Sequence, residues 1–200
     1  MPSVYDLKPA FQDLLRPLAN RLAGAGVTAN QVTAVGLAVS AAAGALLTLT
    51  GAAKSALWLV PVVLFLRMGL NAIDGMLARE HGQASPLGAL FNELADMASD
   101  AALYLPFALI LWPGWIVAVI VLAMIVEAAG ILGPMIGASR RYDGPFGKSD
   151  RAVVFGLVAV LLATGIASPG LINWTLPIMV ALAVWTIVNR VRHALVEAAP

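Results

Sequence analysis

Two short stretches place acidic and amide side chains in the middle of an otherwise apolar sequence. One reads NAIDGMLAR over 71–79, and the other reads GALFNELADMASD over 88–100. Charged side chains are costly inside an apolar helix and usually face a cavity or a charged partner. Carboxylate and amide oxygens are ligands that hard divalent cations such as Mg²⁺ and Mn²⁺ accept. The two stretches therefore favour a site for a divalent metal.

The spacing of these side chains puts them on one face of each of two helices. Asn71 and Asp74 are three residues apart, and Asn92, Asp96 and Asp100 follow one another at steps of four. The turn between the two stretches is short enough to make the helices antiparallel neighbours, so their polar faces can meet. Several carboxylates so close together stay ionised only if a positive charge neutralises them.

Two other roles for the acidic cluster remain open on this pattern. An ion-pair network with Arg67 and Arg79 would lock the helices together without a metal, and intramembrane carboxylates also mark proton or ion pathways. A transporter, however, more often spreads its charges toward the bilayer midplane and interrupts its helices there. Arg67 itself has two candidate partners, the cavity beside Asn71 and Glu127 of a later apolar segment.

A long loop at 137–150, GASRRYDGPFGKSD, supplies positive charge together with turn-forming glycines and a proline. Beside carboxylates and a metal, such a basic pocket suits phosphate groups of a substrate. Binding of anionic lipid headgroups without chemistry is the alternative. The candidate residues for binding such a phosphate group are Arg140, Arg141, Lys148 and Arg151.

The composition is that of an integral membrane protein. Of the 200 residues, 60% are hydrophobic and 12% are charged, against about 45–50% and about 25% in soluble domains. A spanning helix needs about 20 apolar residues, and we expect an all-α protein with six such helices in a single domain over 1–200. The predicted spans are 29–50, 54–79, 86–111, 113–136, 151–168 and 171–191. The absence of cysteine excludes disulfides and thiolate metal sites.

The first 25 residues carry apolar side chains at steps of three and four. This pattern predicts an amphipathic helix that either lies at the membrane interface or packs on the protein. With an even number of spans both termini share one side, where ten lysines and arginines fall against Lys54 alone on the other. The bias predicts that both termini, the polar site and loop 137–150 are cytoplasmic. We expect the membrane to be a bacterial inner membrane.

The two polar stretches together resemble the signature of the CDP-alcohol phosphatidyltransferases. The pattern here is N-x2-D-G-x2-A-R-x8-G-x3-N-x3-D, and the family has aspartate at the positions of Asn71, Asp74, Asn92 and Asp96. A match of spacing over 26 residues is specific. The segment VTANQVT at 27–33 is similar to the family's usual approach to its first span. The family also has six spans, an N-terminal amphipathic helix and a cytoplasmic site, and it commonly forms homodimers.

The resemblance implies transfer of a phosphatidyl-type group from a CDP-linked lipid, such as CDP-diacylglycerol, to an alcohol, with release of CMP and a requirement for Mg²⁺ or Mn²⁺. It makes Asp96 the catalytic base on the incoming hydroxyl, and Asp74 the clearest metal and nucleotide-site residue. The matches to the family's nucleotide-binding positions are Gly75, Ala78, Arg79 and Gly88. The candidate metal ligands, with Asp100 added one turn further on, are Asn71, Asp74, Asn92, Asp96 and Asp100.

The sequence departs from the family pattern at Asn71 and Asn92, which remove two negative charges and keep carbonyl oxygens that can ligate a cation. Metal affinity should fall, or one of two metals should be lost, unless Asp100 or Glu93 restores charge. A family member that binds nucleotide or lipid without catalysis is therefore the main alternative function. A small membrane carrier is the third candidate function. The basic loop favours a phosphorylated acceptor over a neutral alcohol, and we expect no nucleic-acid partner.

Overall fold

The computed structural model describes the backbone of residues 4–199 and the side chains of residues 10–199. Within this range every regular element is helical, so the all-α prediction is confirmed. The helices are α1 (Val4–Gly24), α2 (Ala29–Leu49), α3 (Lys54–Leu57), α4 (Leu59–Glu80), α5 (Pro86–Tyr104), α6 (Pro113–Ile131), α7 (Lys148–Thr164), α8 (Pro169–Asn173) and α9 (Leu176–Ala198). Two 3₁₀ turns, Leu105–Leu109 and Gly133–Ile136, extend the segments after α5 and α6.

Four helical segments within the described residues are long and apolar enough to cross a membrane. They are Ala29–Leu49, Lys54–Glu80, Pro113–Ile131 and Pro169–Ala198. Helix α5 is 19 residues long but carries three acidic side chains, and α7 has 17 residues, fewer than the about 20 that a span needs. The predicted segments 86–111 and 151–168 are thus largely helical without matching the other four in length and composition, and the six-span count stays a prediction.

The chain divides into two compact units. The first unit comprises Met1–Ala42 and Val62–Ser99, and the second unit comprises Ala43–Pro61 and Asp100–Pro200. The core of the first unit consists of apolar side chains from α1, the start of α2, and α4. Its buried members are Ala19, Ala29, Val32, Ile73, Met76 and Leu77.

Helix α1 is present where the sequence predicts an N-terminal helix, and one of its sides packs on the protein. Ala19 is 1% exposed, and Leu15 and Leu22 pack against the same core. Leu14 and Leu18 remain exposed on the helix surface. The first three residues of the predicted helix, and its side chains before Ala10, lie outside the described residues.

The second unit contains a helix contact that admits only glycine. A Cβ built on Gly44 of α2 would lie 2.0 Å from the backbone oxygen of Ala102 in α5, whereas real atoms need about 3 Å or more. Small residues allow such backbone approach between membrane helices. Nearby along α5, Tyr104 stacks on Phe155 of α7 with ring centroids 4.0 Å apart, which fixes the second half of α5 within this unit.

Candidate active site

A cavity of about 260 Å³ lies in the first unit, between α2, α4 and the start of α5. Seven residues that the sequence predicts for the site line it together. They are Asn71, Asp74, Gly75, Ala78, Arg79, Gly88 and Asn92. The helical spacing explains this convergence, because steps of three and four residues keep each set on one face of its helix.

The acidic and amide side chains of α4 and α5 pair reciprocally. Asn92 Nδ2 of α5 donates to Asp74 Oδ2 of α4 at 3.0 Å. Asn71 Nδ2 of α4 donates to Asp96 Oδ1 of α5 at 3.3 Å. Each asparagine therefore stabilises the carboxylate on the facing helix, and the pairs join the two polar faces as the sequence predicts.

Asp96 has a cation beside it in addition to the amide. Arg67 Nη2 lies 3.6 Å from Asp96 Oδ1 and donates to the backbone oxygen of Asp96 at 3.4 Å. The side chain of Arg67 is 5% exposed and that of Asp96 is 20% exposed. Asp96 is not one of the described residues that line the cavity. Arg67 thus contacts the polar cluster of its own unit, one of the two partners left open by the sequence.

Helix α2 contributes residues that sequence reasoning did not assign to the site. Thr33 is buried, and its hydroxyl donates to Asp74 Oδ2 at 2.9 Å. Asn30 lies one turn earlier on the same face and also lines the cavity. Both belong to the segment VTANQVT, so the similarity of that segment to the family was the signal that could have identified them.

The turn between α4 and α5 is tied to the start of α2 by Gln83. Its Oε1 accepts a hydrogen bond from the backbone N–H of Ala29 at 2.7 Å, and its Nε2 donates to the oxygen of Val27 at 3.2 Å. The amide thus satisfies one of the unpaired N–H groups of the first turn of α2. Gln83 and Ser85 complete the cavity wall, and no helical periodicity predicts them because they lie in a turn.

Two glycines keep the cavity open where side chains of neighbouring residues approach closely. A Cβ on Gly88 would lie 2.9 Å from Asn30 Oδ1 and 3.0 Å from Ser85 Oγ. A Cβ on Gly75 would lie 2.7 Å from an Nη atom of Arg79. Any larger residue at these positions would displace polar groups of the wall, which is why glycine suits a cavity that admits a ligand against its backbone.

The donor atoms around the cavity fit a hard divalent cation that arrives with a phosphorylated ligand. The described residues contain no group of three or more histidine, cysteine, aspartate or glutamate side chains able to hold a metal alone. The cavity instead offers the Asp74 carboxylate, the Asn71 and Asn92 amides and the Thr33 hydroxyl, all of them oxygen donors. Mg²⁺ commonly uses one or two carboxylates and takes its other ligands from substrate phosphates and water.

Asp100, which the sequence adds to the metal ligands, is paired with an arginine in the second unit. Its Oδ2 lies 3.3 Å from Arg151 Nη2, and the same nitrogen donates to Glu127 Oε1 at 2.8 Å. Glu127 Oε2 accepts from Arg190 Nη1 at 3.4 Å. The two arginines are 1% and 2% exposed. Because buried charges need such partners, this tetrad accounts for the acidic side chain of Asp100 without a metal.

In the basic loop 137–150, Arg141 also pairs with carboxylates. Arg141 donates to Asp143 through two nitrogens at 2.7 and 3.0 Å, and its Nη1 contacts Glu197 at 2.5 Å. The hydrogen bond from Arg141 lowers the pKa of Asp143 to about 2. Arg140 lies over the ring of Tyr142, 4.9 Å from its centroid. The role of these residues in binding an acceptor stays a prediction.

Comparison with known proteins identifies a family over most of the chain. Residues 26–188 match the family model of the CDP-alcohol phosphatidyltransferases. The chain is 43% identical to the inner membrane protein YnbA of Escherichia coli K12 over 98% of both chains. It is 30% identical to the archaetidylinositol phosphate synthase of Pyrococcus horikoshii over about half of each chain, 52%. With its apolar helices, this places the protein among integral membrane proteins.

Solved structures of Mycobacterium tuberculosis phosphatidylinositol phosphate synthase share the fold. The form with bound CDP-DAG has a TM-score of 0.75 at 20% identity, over 89% of this chain and 92% of that one. The form in complex with manganese and citrate has a TM-score of 0.76 at 20% identity, over 92% and 91% of the two chains. At this identity the likeness concerns the fold.

Proposed function

The chain belongs to the CDP-alcohol phosphatidyltransferase family of membrane transferases, and we propose that it transfers a phosphatidyl-type group from a CDP-linked lipid, such as CDP-diacylglycerol, to an alcohol with release of CMP. The observation that carries the proposal is that Asp74, Arg79 and Asn92 line the same cavity as the two glycines of the signature. A CDP group requires a divalent metal, a positive side chain beside its phosphates and bare backbone that lets the nucleotide approach closely.

We propose that the metal, Mg²⁺ or Mn²⁺, is held by Asp74 with help from Asn71 and Asn92. When bound, it supplies neutralisation of charge on the phosphate oxygens and on the leaving CMP. The manganese in one structure of the mycobacterial synthase supports a metal in this fold. Arg79 is exposed on the cavity wall and binds phosphate oxygens in this proposal, while Gly75, Ala78 and Gly88 admit the nucleotide.

Asp96 is the proposed base. The acceptor oxygen attacks the phosphorus that bears the lipid, the bond from that phosphorus to the bridging oxygen breaks, and CMP leaves with the bridging oxygen. Asp96 takes the hydroxyl proton as the new bond forms, a contribution of about 10²–10⁴ in rate for a positioned base. Its carboxylate stands one turn beyond Asn92 on α5, and Asn92 lines the cavity.

The proposed arrangement in the membrane follows the distribution of positive charge. We place both termini and the cavity on the cytoplasmic side of a bacterial inner membrane, with six spans and with α1 at the interface. The exposed Leu14 and Leu18 on α1 support its contact with lipid. We also propose that the protein forms a homodimer, as is common in the family.

The acceptor is proposed to be a phosphorylated alcohol bound by loop 137–150. The positive residues of the loop and of the start of α7 support this; they are Arg140, Arg141, Lys148 and Arg151. The names of two similar proteins, the mycobacterial phosphatidylinositol phosphate synthase and the archaeal archaetidylinositol phosphate synthase, also support it. The carboxylates that pair with Arg141 and Arg151 mean that such a ligand must compete with them. A comparison of inositol phosphate with inositol, at equal concentration, tests the class of acceptor.

A protein that binds the CDP-lipid without turnover is the second candidate, because Asn71 and Asn92 remove two negative charges from the site. The purified protein in detergent with CDP-diacylglycerol, Mn²⁺ and a panel of alcohols separates the two. Release of CMP that depends on an alcohol supports the transferase. Metal-dependent binding of the CDP-lipid without CMP release supports the binding protein. The absence of both CMP release and CDP-lipid binding would support a small membrane carrier.

A further inference from the structure

Glu127 of α6 places a carboxylate between two buried arginines of the second unit. Its Oε1 accepts a hydrogen bond from Arg151 Nη2 at 2.8 Å, and its Oε2 accepts one from Arg190 Nη1 at 3.4 Å. The side chains of the two arginines are 2% and 3% exposed, and that of Glu127 is 12% exposed. The ion pairs of Glu127 with described residues both go to these arginines. One carboxylate is therefore shared by two positive charges.

The two arginines are also anchored on backbone oxygens. Arg151 Nη1 donates to the backbone oxygen of Phe146 at 3.3 Å. Arg190 Nη1 donates to the backbone oxygen of Val126 at 2.6 Å, and its Nε donates to that of Asp143 at 3.3 Å. These bonds do not involve the shared carboxylate, so its withdrawal would leave both guanidinium groups held in place.

One edge of the Arg151 guanidinium is only half used. Its Nε and Nη2 atoms lie side by side on the planar group, and such a pair can bind two oxygens of one phosphate. Nη2 faces the carboxylates of Glu127 and Asp100, whereas Nε is buried without a hydrogen-bond partner among the described residues. A buried donor without a partner is unfavourable. A phosphate bound through both nitrogens would satisfy the donor that Glu127 leaves unpaired.

We propose that Glu127 is a displaceable counter-anion, which the phosphate of the acceptor replaces at Arg151, and that it thereby sets the affinity of the protein for a phosphorylated acceptor. The inference rests on the proposed function and adds a specificity-determining residue, Glu127, to it. Without an acceptor, the carboxylate compensates buried positive charge that would otherwise be strongly destabilising. A phosphate monoester carries a charge of about −1.5 to −2 at pH 7 and offers three acceptor oxygens, so it can replace a carboxylate of single charge.

The direction of the effect distinguishes this role from a structural one. The negative charge of Glu127 opposes the attraction between an incoming phosphate and the two arginines. Its removal should therefore strengthen the binding of phosphate. If Glu127 served only to orient the arginines, its removal would weaken that binding instead.

The experiment measures the Kd of inorganic phosphate for the full-length protein in nonionic detergent, by calorimetric titration at constant ionic strength. Glu127→Gln should bind phosphate at least about tenfold more tightly than the wild type, the equivalent of one hydrogen bond to a charged group, with a Kd for CDP and Mn²⁺ within about threefold of the wild type. Glu127→Asp keeps the charge but withdraws it by one methylene, so its affinity for phosphate should lie between the two. Glu80→Gln is the matched control, because Glu80 pairs with Arg16 on the surface of the first unit, and it should bind phosphate as the wild type does.

Equal or weaker binding of phosphate by Glu127→Gln would overturn the inference, and so would an equal gain in Glu80→Gln, which would report only the loss of a negative charge. If Glu127→Gln does not fold, Glu127→Asp decides the matter, and binding no tighter than in the wild type counts against the inference. Stabilisation of the variant by phosphatidylglycerol in the micelle, and not by free phosphate, would also overturn it, since the ligand would then be a lipid headgroup. These results leave the proposed transfer standing, because release of CMP is measured separately. No binding of phosphate by either protein together with no release of CMP would reject both.

Discussion

Asn92 of α5 donates a hydrogen bond to Asp74 of α4, with Nδ2 3.0 Å from Oδ2. The bond exists because an amide stands at this position, where the resemblance to the family predicts an aspartate. With a second carboxylate there, two negative charges would face each other and require a cation. The asparagine lets the helix pair form without a metal, and it lowers the negative charge available to hold one.

Asn92→Asp should therefore make the fold depend on metal. Without Mn²⁺ we expect a lower melting temperature than in the wild type, because two carboxylates repel in a partly buried site. With Mn²⁺ and CDP we expect at least about tenfold tighter metal binding, since affinity follows the count of charged ligands. Thermal unfolding with and without Mn²⁺ measures both effects.

Asn20→Asp is the control for an added charge, because Asn20 is exposed on α1 of the same unit and contacts His81 rather than the cavity. Equal stabilisation by Mn²⁺ in Asn92→Asp and Asn20→Asp would show that residue 92 is not at a metal site.

Gly88→Ala should weaken nucleotide binding. The new methyl group would lie 2.9 Å from Asn30 Oδ1 and 3.0 Å from Ser85 Oγ, so it would displace polar groups of the cavity wall. We expect the Kd for CDP with Mn²⁺ to rise roughly tenfold or more, the usual effect of one misplaced methyl in a binding pocket. Gly24→Ala, where a Cβ meets nothing within 4 Å, should bind CDP as the wild type does; a similar Kd in both variants would reject the assignment of Gly88.

Gly44→Ala should destabilise the fold without touching the cavity residues. Its Cβ would lie 2.0 Å from the backbone oxygen of Ala102, so the helices must separate, at a cost of about 1–3 kcal/mol for overpacking. Thermal unfolding in detergent should show a lower melting temperature than for Gly114→Ala, whose Cβ has open space. Indistinguishable melting temperatures would mean that α2 and α5 do not approach as described.

Acid should destabilise the basic loop through Asp143. The hydrogen bond from Arg141 lowers the pKa of this carboxyl from 3.8 to about 2 in the folded protein. Its contribution to stability is thus fully present above about pH 5 and is lost as the pH falls from about 4 through 2. The difference in melting temperature between the wild type and Asp143→Asn should shrink over that interval. A difference that stays constant from pH 6 to pH 2.5 would contradict the ion pair.

Helical periodicity was sufficient to predict which side chains of α4 and α5 meet. Steps of three and four residues fix a common face, and a short turn makes the helices antiparallel neighbours, so Asp74 and Asn92 could be placed together before any coordinates. The predicted helices over 29–50 and 113–136 correspond to α2 and to α6 with its 3₁₀ extension, since long apolar runs leave little choice of structure.

Helical periodicity could not determine which charged side chains pair with each other. It left Arg67 between the acidic cluster and Glu127, and only the packed helices show Arg67 against Asp96 and Glu127 with two other arginines. It predicted Asp100 as a metal ligand, because a step of four continues a helix face, but it could not reveal that Arg151 lies beside this carboxylate. Gln83 was missed since its role depends on where a turn meets another helix.

The most direct test of the transferase is acceptor-dependent release of CMP from CDP-diacylglycerol with Mn²⁺, compared between the wild type and Asp96→Asn. We predict release by the wild type only when a suitable alcohol is present. Asp96→Asn should lose this rate by about 10²-fold or more, as expected for removal of a base, while it binds CDP with an affinity within about threefold of the wild type. Equal rates of CMP release from the two proteins would contradict the proposed role of Asp96, and no release by the wild type with any alcohol would contradict the transferase itself.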